Sequence, residues 1–238
     1  AMGYDAEMDK KHFKNFNTIV TISDECLRIL KEVFPSESYK FKMIPNLSSR
    51  KIIEEQSRAF IPEEYKNEKR IKLLSVGRLS EQKGYDMALD AAEYLKKKKI
   101  NFCWFILGDG ELREKIEKGI RQKQLQDVVK LLGIRENPYP YIEQCDIFVQ
   151  PSRFEGKSVV LDEARILCKP IVVTNYTTVY DQIDSQNGYI VEMNGKSIAK
   201  GIELLIVDKN KRDSYIKSLK NLKQSNEEHI QDYFELIK

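Results

Sequence analysis

Phe102-Cys103-Trp104-Phe105-Ile106-Leu107, closed by Gly108-Asp109-Gly110, decides the architecture. Six apolar residues without polar alternation fit a strand buried on both faces, as in a parallel sheet covered by helices on either side. The same pattern repeats outward from it. Upstream, a strand over Lys72–Val76 ends at Gly77-Arg78, and a helix over Tyr85–Leu95 begins after Lys83-Gly84. Downstream come a helix over Glu111–Lys123, a strand over Val128–Leu131 ending at Gly133, and a short helix over Tyr139–Cys145. A strand over Ile147–Gln150 is closed by Pro151, and a helix over Ser158–Leu167 leads to a strand over Ile171–Thr174. A helical turn over Val179–Ile183, a strand over Gly188–Val191, and helices over Ile198–Val207, Arg212–Lys223 and His229–Ile237 complete the pattern. Strands alternating with helices of roughly ten residues mean βαβ units. The predicted class is α/β, a doubly wound, Rossmann-like parallel sheet.

The first 47 residues read as a separate, smaller βαβ. Thr18–Ile22 is a β-branched strand, Ser23 starts a helix with Asp24 and Glu25 in its first turn, and Pro35 stops it. Tyr39–Ile44 is a second strand, closed by Pro45-Asn46. Residues 48–69 are mixed in charge with no sustained period, and read as a linker with a helical turn near Ile52–Phe60. Residues 70–224 form the main domain, and 225–238 a last amphipathic helix.

Composition narrows the function. The 238 residues are 41% hydrophobic and 32% charged, with a mean hydropathy of −0.51, which is ordinary globular composition. Forty basic and 37 acidic residues leave a net charge of +3, so charge argues for neither nucleic acid nor membrane. The four cysteines form no C-x-x-C pair, and three sit in apolar runs, as expected of reduced thiols in a cytoplasmic protein. His12 and His229 lack metal-ligand neighbours, which argues against a zinc hydrolase. Ala1-Met2-Gly3 reads as an added start, and the chain is expected to be a fragment of a longer protein.

In a doubly wound sheet, ligands bind beyond the carboxyl ends of the strands. Two constellations fall there. In Gly77-Arg78-Leu79-Ser80-Glu81-Gln82-Lys83-Gly84, a glycine permits a sharp turn and two cations five residues apart can grip one anion. A diphosphate suits an Arg fork and a Lys point charge, and solvated loop charges are the plainer alternative. In Phe154-Glu155-Gly156-Lys157-Ser158-Val159-Val160-Leu161-Asp162-Glu163-Ala164, Gly156 and Ser158 sit where amides of a helix start point at an anion. Glu155 and Glu163 flank that position as acceptors for sugar hydroxyls, unless Glu155 only caps the helix and Glu163 is solvated.

Taken together, Gly-Arg-x-x-x-x-Lys-Gly, Gly-Asp-Gly, Pro-Ser-Arg-x-Glu-Gly and Glu-x(7)-Glu-Ala followed by Lys-Pro-Ile-Val-Val-Thr resemble the C-terminal half of the retaining GT-B glycosyltransferases of family 4. The resemblance runs from Lys72 to Val191, and Ile19–Ser23 and Lys42–Asn46 resemble the last βαβ of that family's N-terminal domain. It implies transfer of a sugar from a nucleotide diphosphate-sugar, a UDP- or GDP-sugar, to a saccharide or lipid-linked acceptor. The anomeric configuration is retained, and no metal or other cofactor is required. Arg78 and Lys83 are then implied to hold the diphosphate, Glu155 the donor sugar and Glu163 the ribose. Gly77 and Gly108 shape the loops, the amides of Gly156, Lys157, Ser158 and Val159 meet phosphate, and the turn through Ile134 and Arg135 meets the base. Catalysis is implied for Arg78, Lys83 and Glu155.

Two features depart from the family pattern. Lys157-Ser158 stands where many relatives carry a Phe-Gly or Pro-Gly pair, so Lys157 is either a third cation at the phosphate or a solvated charge. Most of the acceptor domain, with its glycine-rich loop and histidine, has no counterpart, so little transfer is expected from this chain alone. The basic segment Lys209–Lys223 reads as a solvated helix face, with peripheral contact to anionic lipid at the inner membrane face as the alternative. Three competing functions differ from this reading: a dinucleotide-dependent oxidoreductase, disfavoured because no G-x-G-x-x-G follows the first strand of the main domain; a non-catalytic nucleotide-binding module; and a GT-B-shaped nucleotide-sugar epimerase.

Overall fold

The computed structural model describes residues 11–222 and 229–236. The opening Ala1-Met2-Gly3 and the expected helix ends at Lys223 and Ile237 lie outside those residues. Two compact units divide the chain: residues 1–48 with 225–238, and residues 49–224.

The small unit pairs two parallel strands, β1 (Ile19–Thr21) and β2 (Phe41–Met43), around helix α1 (Asp24–Val33). Ser23 caps α1, its hydroxyl accepting from the Cys26 N–H at 3.2 Å, and Asp24 and Glu25 lie in the first turn. That placement satisfies an otherwise orphaned amide and suits the positive end of the helix dipole. Phe34, Phe41 and Phe13 meet edge-to-face, with Phe13 and Phe34 centroids 4.9 Å apart. The C-terminal helix of this unit (Ile230–Leu236) is tied to it by the Tyr233 hydroxyl, which donates to the Pro45 carbonyl at 3.2 Å.

The large unit is a six-stranded sheet of β3 (Ile71–Val76), β4 (Phe102–Leu107), β5 (Val129–Gly133), β6 (Ile147–Gln150), β7 (Ile171–Thr174) and β8 (Tyr189–Val191). Their order is β5-β4-β3-β6-β7-β8, and every neighbouring pair is parallel. The chain starts in the middle at β3, runs outward to β5, then returns to β6 and runs out the other way. The order therefore reverses between β3 and β6, and the crevice beyond their carboxyl ends is where such a sheet takes its ligand.

All of β4 is buried, and its alternation divides the core. Phe102, Trp104 and Ile106 enter the layer beneath helices α3 (Tyr85–Lys97), α4 (Arg113–Gln122) and α7 (Gly195–Val207). Cys103, Phe105 and Leu107 enter the layer beneath α2 (Arg50–Gln56), α5 (Tyr139–Gln144) and α6 (Val159–Ile166). A run of apolar residues without alternation is what a strand with two dry faces requires. A polar link runs through this core from β4 to β6. The Trp104 indole donates to Ser75 Oγ at 3.0 Å, and Ser75 Oγ donates to the Val149 carbonyl at 2.6 Å.

Within the stretch 48–69, expected as a linker, short elements form. Ser49 caps α2, Ile53 and Tyr65 are buried in the second core layer, and Glu63–Tyr65 forms a 3-10 turn. Helix α8 (Lys209–Asn221) begins three residues before the expected Arg212, because the Asp208 carboxylate accepts from the Lys211 N–H at 2.9 Å and so caps an earlier turn.

Candidate functional site

The crevice between β3 and β6 is built from two loops stitched to each other and to the loop after β4. Beyond β3, the Gly77 N–H donates to the Leu107 carbonyl and the Leu79 N–H to the Asp109 carbonyl, at 2.9 and 3.0 Å. Gly108 takes φ +131°, and a Cβ there would lie 2.1 Å from the Gly77 carbonyl oxygen. Only a glycine permits that approach. Across the crevice, the Arg153 N–H donates to the Gln82 carbonyl at 2.7 Å, and Gln82 Nε2 donates to the Phe154 carbonyl at 2.9 Å. The Arg153 guanidinium forks onto Asp86 at 2.8 and 2.6 Å, which ties the loop after β6 to the start of α3.

Lys83 and Glu155 meet at the centre. Lys83 Nζ lies 2.7 Å from Glu155 Oε1, with side chains 17% and 7% exposed. Ser152 Oγ donates to the same oxygen at 2.7 Å, and Gln82 Nε2 donates to Oε2 at 3.1 Å. A carboxylate this buried is stable because a cation and two neutral donors together meet three of its about four lone-pair positions, which leaves one on Oε2. Arg78 points elsewhere: its side chain is 75% exposed, and its Nε lies 3.3 Å from Glu111 Oε2. One cation is thus held rigidly in the crevice, and the other stands in solvent at its lip.

Glu155 does not cap α6. Ser158 does, its Oγ accepting from the Leu161 N–H at 3.3 Å while donating to Gln150 Oε1 at 2.9 Å. The Ser158 N–H is likewise engaged. It donates to Gln182 Oε1 at 2.9 Å, and Gln182 Nε2 returns a bond to the Ser158 carbonyl at 2.8 Å. Gln182 is 3% exposed, so this amide fixes the helix start from behind. Thr178 Oγ1 does the same one turn earlier, donating to the Glu155 carbonyl at 2.7 Å. Of the amides expected at an anion, that of Ser158 is therefore taken, and Val159, a residue 39% exposed, opens the first turn. Lys157 neither reaches out as a free cation nor faces open water; its Nζ lies 3.8 Å from Asp162 Oδ2.

Glu163, one turn into α6, is half-buried. Burial pushes its carboxyl up to about 7, with the charge of Asp162 adding to the rise and a hydrogen bond from Tyr139 opposing it. The Tyr139 hydroxyl donates to Oε1 at 3.2 Å.

At the end of β5, Ile134 is 73% exposed on the rim. Arg135 is held in a closed triangle: its guanidinium donates to Glu64 at 2.8 Å and to the Tyr141 hydroxyl at 3.0 Å, and that hydroxyl donates to Glu64 Oε2 at 3.0 Å. The Arg135 cation, set against the opposing effect of burial, holds the Glu64 carboxyl below its usual range.

The structure thus joins Lys83 to Glu155 directly, while Arg78 pairs with Glu111 and Glu163 with Tyr139. Sequence reasoning missed Gln82, Gln150, Gln182, Tyr139 and the Glu64–Tyr141 pair. Ser152 was visible as the Ser of Pro-Ser-Arg-x-Glu-Gly, although its bond to Glu155 was not.

Comparison with known proteins gives the family and the fold. A glycosyltransferase of Methanocaldococcus jannaschii, itself uncharacterized, is 30% identical over 171 residues, covering 71% of this chain and 42% of its own. The N-acetylgalactosamine-N,N'-diacetylbacillosaminyl-diphospho-undecaprenol 4-alpha-N-acetylgalactosaminyltransferase of Campylobacter jejuni is 32% identical over 146 residues, 60% of this chain and 39% of its own. The chain spans about two fifths of the length of these curated relatives. Among solved structures, a mutant of S. aureus TarM in complex with fondaparinux, alpha-GlcNAc-glycerol and UDP superposes with a TM-score of 0.80 at 20% identity, over 99% of this chain and 48% of its own. Anabaena HepE in complex with UDP and glucose superposes with a TM-score of 0.73 at 18% identity, over 85% of this chain and 57% of its own. These likenesses establish the fold as that of the GT-B C-terminal half. The family described as "Glycosyl transferases group 1" matches residues 56–222, well over half of the sequence, and the chain belongs to that family of glycosyltransferases.

Proposed function

We propose that this chain is the donor-binding half of a retaining, family 4-type glycosyltransferase. It takes a nucleotide diphosphate-sugar whose sugar passes to a saccharide or lipid-linked acceptor. The observation that carries the reading is the buried Lys83–Glu155 pair, 2.7 Å apart at the point where strand order reverses. When the bond between the sugar and the diphosphate breaks, negative charge grows on the departing phosphate. A cation already fixed in a dry crevice stabilises that charge without reorganising, and this is the term that lowers the barrier most. Lys83 has that position. Arg78, exposed at the lip, closes on the outer phosphate as a mobile fork. These side chains supply the stabilisation in this reading, with no step assigned to a metal. Glu155, already bonded to Lys83, presents its carboxylate to the hydroxyls of the donor sugar, and Glu163 accepts from the ribose. Ile134 and the backbone around Arg135 receive the base, and the first-turn amides of α6 meet phosphate.

UDP in the crystals of TarM and HepE supports a uridine diphosphate donor, and the name of the Campylobacter relative supports an acceptor carried on a lipid diphosphate. Such an acceptor fits work at the cytoplasmic membrane face; among the described residues no helix is long and apolar enough to cross a membrane.

Calorimetry with UDP and uridine tests the reading. Lys83→Ala is expected to weaken UDP binding about 30-fold and uridine binding under about twofold, because a charge-assisted hydrogen bond is worth roughly 2 kcal/mol and uridine has no phosphate to lose. Equal losses for the two ligands overturn the assignment.

A further inference from the structure

We infer that Tyr139 is a positioning residue that aims Glu163 at a vicinal diol, and so makes the site selective for ribo- over deoxyribonucleotides. The inference rests on the donor-site reading above and adds to it a residue that no sequence motif singled out.

The geometry carries it. Glu163 is a half-buried carboxyl on α6, and among the described residues no Lys, Arg or His nitrogen lies within 4 Å of its carboxylate oxygens. A carboxylate can accept at about four lone-pair positions. Here one neutral donor, the Tyr139 hydroxyl at 3.2 Å, serves Oε1. A buried carboxyl so thinly served gains from a ligand that brings several hydroxyl donors at carboxylate spacing, and two adjacent hydroxyls on a sugar ring do so.

Tyr139 in turn is held rigidly. Its N–H donates to Asn137 Oδ1 at 3.1 Å, and Asn137 Nδ2 donates to the Gln56 carbonyl at the end of α2, at 3.0 Å. Burial pushes the Tyr139 phenol up to about 12, so near neutral pH it is always a donor. By occupying one lone pair of Oε1, it fixes the carboxylate plane and leaves Oε2 and the outer lone pair of Oε1 for the ligand. The chain therefore acts through Glu163, and Tyr139 need not touch the nucleotide itself.

The test compares UDP with 2′,3′-dideoxy-UDP by calorimetry on the full chain, for the wild type, Tyr139→Phe, Glu163→Gln and the double variant. The wild type is expected to prefer UDP at least about tenfold, since two hydroxyl–carboxylate bonds distinguish the ligands. Tyr139→Phe is expected to lose about fivefold for UDP and almost nothing for the dideoxy ligand. Glu163→Gln is expected to abolish most of the preference, with no further loss in the double variant. A Tyr139→Phe chain that weakens both ligands equally, or neither, overturns the positioning role while Glu163 keeps its place. A Glu163→Gln chain that retains the full preference, with UDP still bound, removes the ribose from Glu163 and takes both this inference and that part of the donor reading with it. A wild type that binds neither ligand overturns the uridine diphosphate donor and this inference together. Unchanged thermal melting of Tyr139→Phe separates these outcomes from simple unfolding.

Discussion

A carboxyl pushed up to about 7 by burial changes how stability depends on pH, and Glu163 is such a group. In the unfolded chain it titrates near its ordinary 4.5. Between that value and about 7 the folded state binds more protons than the unfolded state, so stability falls as pH rises through this window. Below 4.5 both states hold the proton, and above about 7 the full penalty is present. At 1.36 kcal/mol per pKa unit, the penalty is at most about 3 kcal/mol. Glu163→Gln keeps the shape and the hydrogen bond to Tyr139 but cannot ionise. Its unfolding free energy in urea is therefore expected to exceed that of the wild type by about 2 kcal/mol at pH 8 and to match it near pH 4.5. Parallel pH profiles for the two proteins would show that Glu163 does not titrate in a buried setting.

The loops after β3 and β4 show how elements carry what single residues cannot. At Gly108 an added methyl meets the Gly77 carbonyl at 2.1 Å, with φ at +131°, whereas at Gly133, φ +72°, the nearest heavy atom is Arg113 Nη1 at 3.9 Å. Gly108→Ala must push apart two stitched loops and is expected to cost about 3 kcal/mol or more, in the range of severe backbone and packing faults. Gly133→Ala pays only the left-handed backbone penalty of about 1 kcal/mol. Urea midpoints of the two variants measure the contrast, and equal small losses would refute the close approach. Much of this level is legible in the sequence. β4 announces itself by six apolar residues, and the β3 and β6 loops by glycine, proline and paired charges. The local structure of the stretch from 48 to 69 is not legible, because its two anchors, Ile53 and Tyr65, stand alone among charges and produce no period. The partners of the site residues are hidden for a different reason. Glu155 meets Lys83 across 72 residues and Tyr139 meets Glu163 across 24, and only the order of strands in the sheet brings them together.

The two units differ greatly in what they bury, and this difference governs how the molecule as a whole opens. The large unit has a sheet of six strands with both faces dry, and β4 at its interior is entirely buried. The small unit has two strands of three residues, and α1 carries no buried residue. Amides of β4 should therefore exchange with solvent only through global opening of the large unit, and those of β1 and β2 through a much cheaper local opening. A gap of about 3 kcal/mol between the two openings corresponds to roughly 100-fold slower exchange in β4. Ligand binding sharpens the contrast. If the donor site belongs wholly to the large unit, UDP at 100 times its Kd stabilises that unit by about 2.7 kcal/mol, again close to 100-fold in exchange. Protection should then rise together along β3, β4 and β6, which share the crevice and the sheet, while β1 and β2 stay unchanged. Hydrogen exchange followed by mass spectrometry, with and without UDP, reads both effects in one experiment. A rise of equal size in β1 and β2 would overturn the independent opening of the small unit.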